Sequence, residues 1–391
     1  MSTSVNLLRD HPFISFAFDA GRLPPQTWFA LGEAMSKCQH LSGIPLKPET
    51  ALQLASVYLA RGVQATTAIE GNTLSTVEVQ KIVDQGHADV SSSRSYLELE
   101  VQNVLAAVRE IDEAVQAHTP LPITVERLKY LNERVLRGIP DKPEVVPGEF
   151  RQHNVGAGTY RAVDWSEVAM LTARLVEWLD ELKESVNDDS TVEDRFVNAF
   201  LRAILAHLYI AWVHPFGNGN GRVARLIEVQ ILSESGIVPI VATNLLSDHY
   251  NKTRNNYYLA LDAAQQTPAN FIKYAVEGLV DELREQIELV REESRKIHWE
   301  SYVYEKFRSL PKTDARDRQR EVALALPDST WLTPEQVVVL TPEIALRYGR
   351  AGDRMPARDL NDLNKIGLVY KLDRRYRARR ELITAFIPPV A

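Results

Sequence analysis

From residue 50 to residue 297, apolar side chains return every three or four positions, segment after segment. Leu97, Val101, Val104, Leu105, Val108 and Ile111 form one such stripe, with Glu98, Arg109, Glu110 and Glu113 between them. That period belongs to helices that pack through one apolar face, so the expected fold class is mainly α. Stripes over 50–70, 76–86, 124–137, 165–186, 192–213, 221–235, 247–263 and 268–297 predict the other helices. Between them, 118–123 and 138–160 are rich in Pro and Gly and read as loops. The second is long, with strand-like pieces on either side of Gly156-Ala157-Gly158, and predicts a short β-hairpin. A loop of that length in a compact helical domain is usually functional.

The pattern changes near residue 310. Residues 310–391 hold 15 of the 45 Lys and Arg but only 11 of the 52 Asp and Glu, so this end is basic on an acidic chain. Short helices over 315–326, 333–340 and 357–367 lead into an alternating segment with a turn at Asp373-Arg374-Arg375. Helices followed by a basic hairpin predict a winged-helix-like domain over 298–391, after an N-terminal helical region at 1–94 and a core at 95–297.

Composition narrows the classes. A chain of 391 residues suits two or three domains, and 45% hydrophobic with 25% charged residues is ordinary for a globular protein. No run of about 18 apolar residues predicts a membrane span, and the N-terminus lacks the basic-then-apolar pattern of a secretory signal. Cys38 is the only cysteine, which excludes an internal disulfide and a Cys-based zinc cluster and suits a reducing, cytoplasmic setting. A net charge of −7 argues against coating nucleic acid or membrane with the whole surface.

The segment VEDRFVNAFLRAILAHLYIAWV reads as a largely buried helix, and His214-Pro215 should end it because the residue before proline is pushed out of helical geometry. Gly217, Gly219 and Gly221 permit a tight turn before a new helix starts near Asn220 or Gly221. A glycine-rich turn opening a helix presents free backbone N–H groups and the positive end of the helix dipole, which suits phosphates. Arg222 and Arg225, three residues apart, project from the same side of the first turn. Two guanidiniums beside an amide nest would grip a polyphosphate. Neither GxxxxGK(S/T) nor GxGxxG is present.

HPFGNGNGRVAR resembles the Fic-family motif HxFx(D/E)GNGRxxR. The resemblance implies an all-α core and transfer of the nucleotide part of a nucleoside triphosphate, usually AMP from ATP, to a hydroxyl of a target protein. His214 would then be the general base, Phe216 a core anchor, Asn220 and the amides around Gly219 and Gly221 the hold on the α-phosphate. Arg222 would meet the β-phosphate and Arg225 the γ-phosphate. His207 reads instead as a packed, structural histidine. The family's acidic residue, a Mg2+ ligand, is Asn218 here, a weaker ligand for a hard cation. The resemblance also admits self-modification, a different nucleotide, or removal of AMP.

Residues 66–72, TTAIEGN, read alone as a helix C-terminus with glycine at its cap. A carboxylate there opposes the helix dipole, so Glu70 should have an outside partner. The pattern resembles the Fic inhibitory motif (S/T)xxxE(G/N), with Thr66, Glu70 and Gly71 in register. By that resemblance Glu70 would pair with Arg225 and inhibit from within the chain.

By position, the 147–160 segment corresponds to the family's target-docking flap, with Val155, Gly156, Ala157, Gly158, Thr159 and Tyr160 forming its tip and return. Tyr257 and Tyr258 either line an adenine pocket or pack between helices. In the C-terminal domain, Arg374, Arg375, Arg377, Arg379 and Arg380 either contact DNA phosphates or form a solvated face of a protein-docking or homodimerising module. A nucleotide-sensing, DNA-binding regulator is therefore the rival to an enzyme.

Overall fold

In the computed structural model, residues 11–157, 160–187, 189–349, 352 and 354–384 are described. Gly158 and Thr159, at the expected hairpin tip, lie outside them. Proline at the first helical position opens α1 (Pro25–Ser42) and α2 (Pro48–Ile69), where its missing N–H costs nothing. A capping box at Ser75 opens α3 (Thr76–Gln85), and α4 (Ser95–Gln116) and α5 (Val125–Leu136) follow. Next come β1 (Gly156–Ala157) and β2 (Tyr160–Arg161), then α6 (Val168–Glu184). A second capping box at Thr191 opens α7 (Val192–Val213), which is succeeded by α8 (Asn220–Glu234), α9 (Ile240–Thr243), α10 (Leu245–Lys252) and α11 (Arg254–Ala263). The fold is mainly α with a small hairpin, as the periodicity predicts.

Two units divide the chain, one ending at Ile287 and the other starting at Glu288, and α12 (Ala269–Arg308) contributes to both. In the first unit α7 packs on α6 and α8, α8 packs on α4 and α5, and α2 packs on α3, α4 and α10. Phe200, Ile204 and Leu208 on α7 are fully buried. By length and composition alone α7 could cross a membrane, which the count of apolar residues did not suggest, but most of it is buried among other helices.

Two local expectations need correcting, and one helix was not predicted. The 247–263 stripe is two helices, broken at Thr253, whose hydroxyl donates to His249 O (2.8 Å) and so competes with the helical backbone. Gly156 and Ala157 form the first hairpin strand rather than its centre, with Gly156 paired to Arg161 and Ala157 to Tyr160. The α1 stripe escaped notice because Trp28 and Phe29 face solvent, which blurs the period.

The second unit holds α13 (Asp314–Ala325), α14 (Pro334–Val338), α15 (Pro342–Tyr348) and α16 (Met355–Lys365), then β3 (Val369–Leu372) and β4 (Arg375–Ala378). Val322, Leu326, Val337, Ile344, Leu360 and Leu363 lie in its core. The hairpin arginines divide. Arg377 and Arg379 lie over the Tyr370 ring (5.2 and 4.6 Å) and Arg380 donates to Leu324 and Leu326 carbonyls, whereas Arg374 and Arg375 are exposed. Asp359, on α16, is buried and accepts from Arg318, Gln319 and Tyr348.

Candidate active site

The end of α7 creates the first part of the site. His214 is its C-cap, in left-handed geometry (φ 51°, ψ 59°) that a non-glycine residue holds only at a cost of about 1–3 kcal/mol. Arg151, itself buried, secures it: the backbone N–H bonds to Pro215 O (3.0 Å), and the guanidinium donates to the carbonyls of His214 (2.8 Å) and His153 (2.9 Å). The His214 Nδ1–H faces Ala211 O at 3.3 Å. Donation there leaves the Nε2 lone pair as the basic position. Burial depresses the imidazole pKa; the Ala211 carbonyl opposes that shift, the Arg151 charge adds to it, and the Glu70 charge opposes it. At neutral pH the ring is therefore neutral and able to accept a proton.

The turn that follows is braced from within. Asn220 Oδ1 accepts the Phe216 N–H (2.9 Å) and its Nδ2 donates to Phe216 O (2.8 Å), so the Asn220 side chain closes the loop. Gly219 takes the N-cap position at φ 80° with no side chain to cap the helix, and the first N–H groups of α8 lack intrahelical acceptors. Asn132 on α5 donates to Asn218 O (2.8 Å) and accepts the Gly148 N–H (3.0 Å), tying the turn to the 138–160 loop.

Glu70 reaches this nest from α2. Its Oε1 lies 2.6 Å from Arg225 Nη2, across 155 positions of sequence. Thr66 accepts from the same guanidinium through Oγ1 (2.6 Å) and its carbonyl (2.9 Å). A β-carbon at Gly221 would collide with Glu70 Oε1 and lie 3.0 Å from Arg225 Nη1, so glycine is what admits the carboxylate to the helix N-terminus. Burial alone would raise the Glu70 pKa, but the charges of Arg225 and then Arg222 outweigh it and hold the carboxyl below its usual range. Arg222 Nη1 pairs with Glu100 of α4, a partner that no motif announces. At this turn Arg222 Nε and Arg225 Nη1 are buried without a hydrogen-bond partner among the described residues.

A cavity of about 430 Å³ joins these groups. Glu70, His214, Asn220, Gly221 and Arg225 line it together with Tyr160, Trp212, Tyr257 and Tyr258. Tyr257 and Tyr258 thus both reach the cavity, and they differ: Tyr257 is buried with its hydroxyl 2.9 Å from His207 Nε2, while Tyr258 is half exposed. His207 is fully buried, 2.8 Å from Glu228. Tyr160 donates to Trp212 O (2.6 Å) and thereby ties the hairpin beside His214, while Val155 O accepts the Ala162 N–H (3.2 Å).

Asn218 stands apart. Its Oδ1 accepts from Gly219 N–H (2.6 Å) and Arg222 Nη2 (3.3 Å), and its Nδ2 donates to Asp141. With that oxygen already taken, the side chain does not fit the role of Mg2+ ligand. Among the described residues no cluster of three or more His, Cys, Asp or Glu is placed to hold a metal.

Residues 122–232 match the Fic/DOC family, a span that contains the histidine turn and the helices on either side of it. Protein adenylyltransferase fic-1 of Caenorhabditis briggsae is 32% identical over 200 residues, covering 51% of this chain and 35% of that protein. Protein adenylyltransferase Fic of Drosophila melanogaster is 24% identical over 235 residues, covering 60% and 42%. The chain thus spans less than half the length of these relatives. A crystal structure of a Fic family protein from Desulfovibrio desulfuricans shares the fold at TM-score 0.54 and 19% identity, covering 92% of this chain and 98% of that one. Residues 134–508 of C. elegans Fic-1 do so at TM-score 0.51 and 23% identity, covering 68% and 72%. Glu70, Glu100 and Arg151 bond directly to the histidine turn or to the first arginines of α8, and Asn72 reaches them through Glu100. Of these only Glu70 carried a signal in the sequence.

Proposed function

We propose that the chain is an autoinhibited protein adenylyltransferase that moves AMP from ATP to a hydroxyl side chain of a target protein. The observation that carries this reading is a carboxylate already seated in an anion cradle: Glu70 on Arg225, against Gly221, at the open N-terminus of α8. A triphosphate offers the same charge to the same donors and to the two unpartnered guanidinium N–H groups. His214 Nε2 removes the hydroxyl proton as the target oxygen attacks the α-phosphorus. The bond from that phosphorus to the bridging oxygen breaks, and pyrophosphate leaves. The α8 amides face the charge that develops on the α-phosphate, while Arg222 and Arg225 hold the leaving phosphates. Relatives named protein adenylyltransferases support the reaction class.

In the resting chain Glu70 and the γ-phosphate compete for Arg225, so Glu70→Gly should unlock transfer. The test is incubation of Glu70→Gly with each nucleoside triphosphate, the protein itself serving as acceptor, followed by intact-mass measurement. A gain of one AMP residue with ATP, absent in Glu70→Gly with His214→Ala, is expected. No gain with any nucleotide would remove the transferase reading.

A second reading rests on the same carboxylate. Glu70 and His214 line one cavity, so Glu70 can also orient a water for removal of AMP. Release of AMP from modified Glu70→Gly protein on adding unmodified wild-type chain would favour it.

A further inference from the structure

The turn after α2 carries a second polar side chain beyond Glu70. Asn72, two residues beyond Glu70, is buried; its Nδ2 donates to Leu97 O (2.8 Å) and Glu100 Oε2 (2.9 Å), and its Oδ1 accepts the Leu74 N–H (3.0 Å). Glu100 Oε1 accepts from Arg222 Nη1, and Arg222 Nη2 reaches Asn218 Oδ1. One hydrogen-bonded chain therefore runs from the inhibitory turn, through the buried pair of Glu100 (8% exposed) and Arg222 (4%), to the phosphate turn. It leaves Arg222 Nε a buried donor without a partner among the described residues.

We infer that Asn72 and Glu100 are positioning residues for Arg222, so that the Glu70-Gly71-Asn72 turn blocks the site with one side chain and builds it with the next. The inference rests on the nucleotide reading above. An unrestrained arginine loses rotamer freedom when it grips a phosphate; fixing both Nη atoms beforehand removes that cost. Glu100 is not a second block. It sits within α4, both its oxygens are bonded, and expelling it would leave a buried charge without a partner. Glu70 has the freedom a block needs: it lies at the end of α2, before Gly71 in left-handed geometry (φ 102°). Replacing Glu70 alone and removing the whole turn are therefore different operations. The first frees Arg225; the second also unsettles Arg222.

The experiment is calorimetric titration of the full chain carrying Glu70→Gly with AMP, ADP and ATP, with and without Asn72→Ala or Glu100→Gln. Each added substitution should weaken ADP and ATP about tenfold and AMP by no more than about twofold, because Arg222 meets only the phosphate beyond the first. Asn72→Ala keeps the buried ion pair, so it reads positioning even if Glu100→Gln fails to fold. Equal losses for all three nucleotides would reveal general structural damage and overturn the inference. So would unchanged ADP affinity, or tighter binding, which would make Glu100 a block after all. If Glu70→Gly binds none of the three, the nucleotide reading falls, and this inference falls with it.

Discussion

Arg222 and Arg225 sit three residues apart on α8, and each is paired with a carboxylate from a distant helix. The two pairs differ in how the carboxylate is held. Glu100 is locked in mid-helix by Asn72 and Arg222 together, whereas the Glu70 side chain is 26% exposed, at a helix end next to a glycine in left-handed geometry. Burial and backbone position, more than the pairing itself, separate a carboxylate that can leave from one that belongs to the scaffold. A guanidinium beside the first can be inhibited and released. One beside the second is oriented for good.

If both arginines act as binding groups, the chemistry falls to His214. The largest effect should therefore come from His214→Ala in the Glu70→Gly background. Transfer should fall by about 10²–10⁴-fold while ATP affinity stays within about twofold, read by rate and calorimetry on one sample. A parallel loss of affinity would mean that the ring binds rather than reacts. Stability sharpens the contrast next. Glu100→Ala should cost about 3–5 kcal/mol in urea unfolding, as expected when one partner of a buried ion pair is removed. Glu70→Ala should cost only about 1–2 kcal/mol, because water reaches the vacated edge and Thr66 still accepts from Arg225. Equal costs would erase the distinction between lock and scaffold.

Two pH effects are smaller. Burial holds the His214 pKa below 6.5, so kcat/KM of Glu70→Gly should already be on its plateau at pH 7 and fall only under more acidic conditions. A midpoint above 6.5 would mean that the ring is solvated or charged. The Glu70 carboxyl is held below its ordinary 4.5, so the stability it contributes is present above that value and lost as pH falls through its lowered one. The melting-temperature gap between wild type and Glu70→Gln should accordingly close below pH 4.5. A gap that persists there would locate the stabilisation elsewhere than in the ion pair.

The parts of this site that could be read in advance were contiguous in sequence. His214-Pro215 announces a helix end, three alternate glycines announce a tight turn, and two arginines at a three-residue step share a side of α8. Thr66 and Glu70 were readable only together, because TTAIEGN resembles the Fic inhibitory motif. Glu100 was not. Its partner is 122 positions away, and on an amphipathic stripe with Glu98 and Glu110 it resembles any solvated acid, although α4 is packed by α2, α5 and α8 and so buries more than one face. Asn72 was hidden for a similar reason, because asparagine after glycine is ordinary turn chemistry. Arg151 looked like part of a docking strand, and only the fold shows it bonded to the carbonyls around His214. The single stripe over 247–263 concealed a break because apolar spacing is blind to a threonine hydroxyl bonding back to the chain.

The central claim is that Glu70 occupies the place of a phosphate on Arg225. Its most direct test is calorimetric titration of ATP into the wild-type chain and into Glu70→Gly under identical conditions. At least about tenfold tighter binding is expected once the carboxylate is gone. Equal affinities would show that Glu70 and the nucleotide do not compete for Arg225, and the account of inhibition would be wrong.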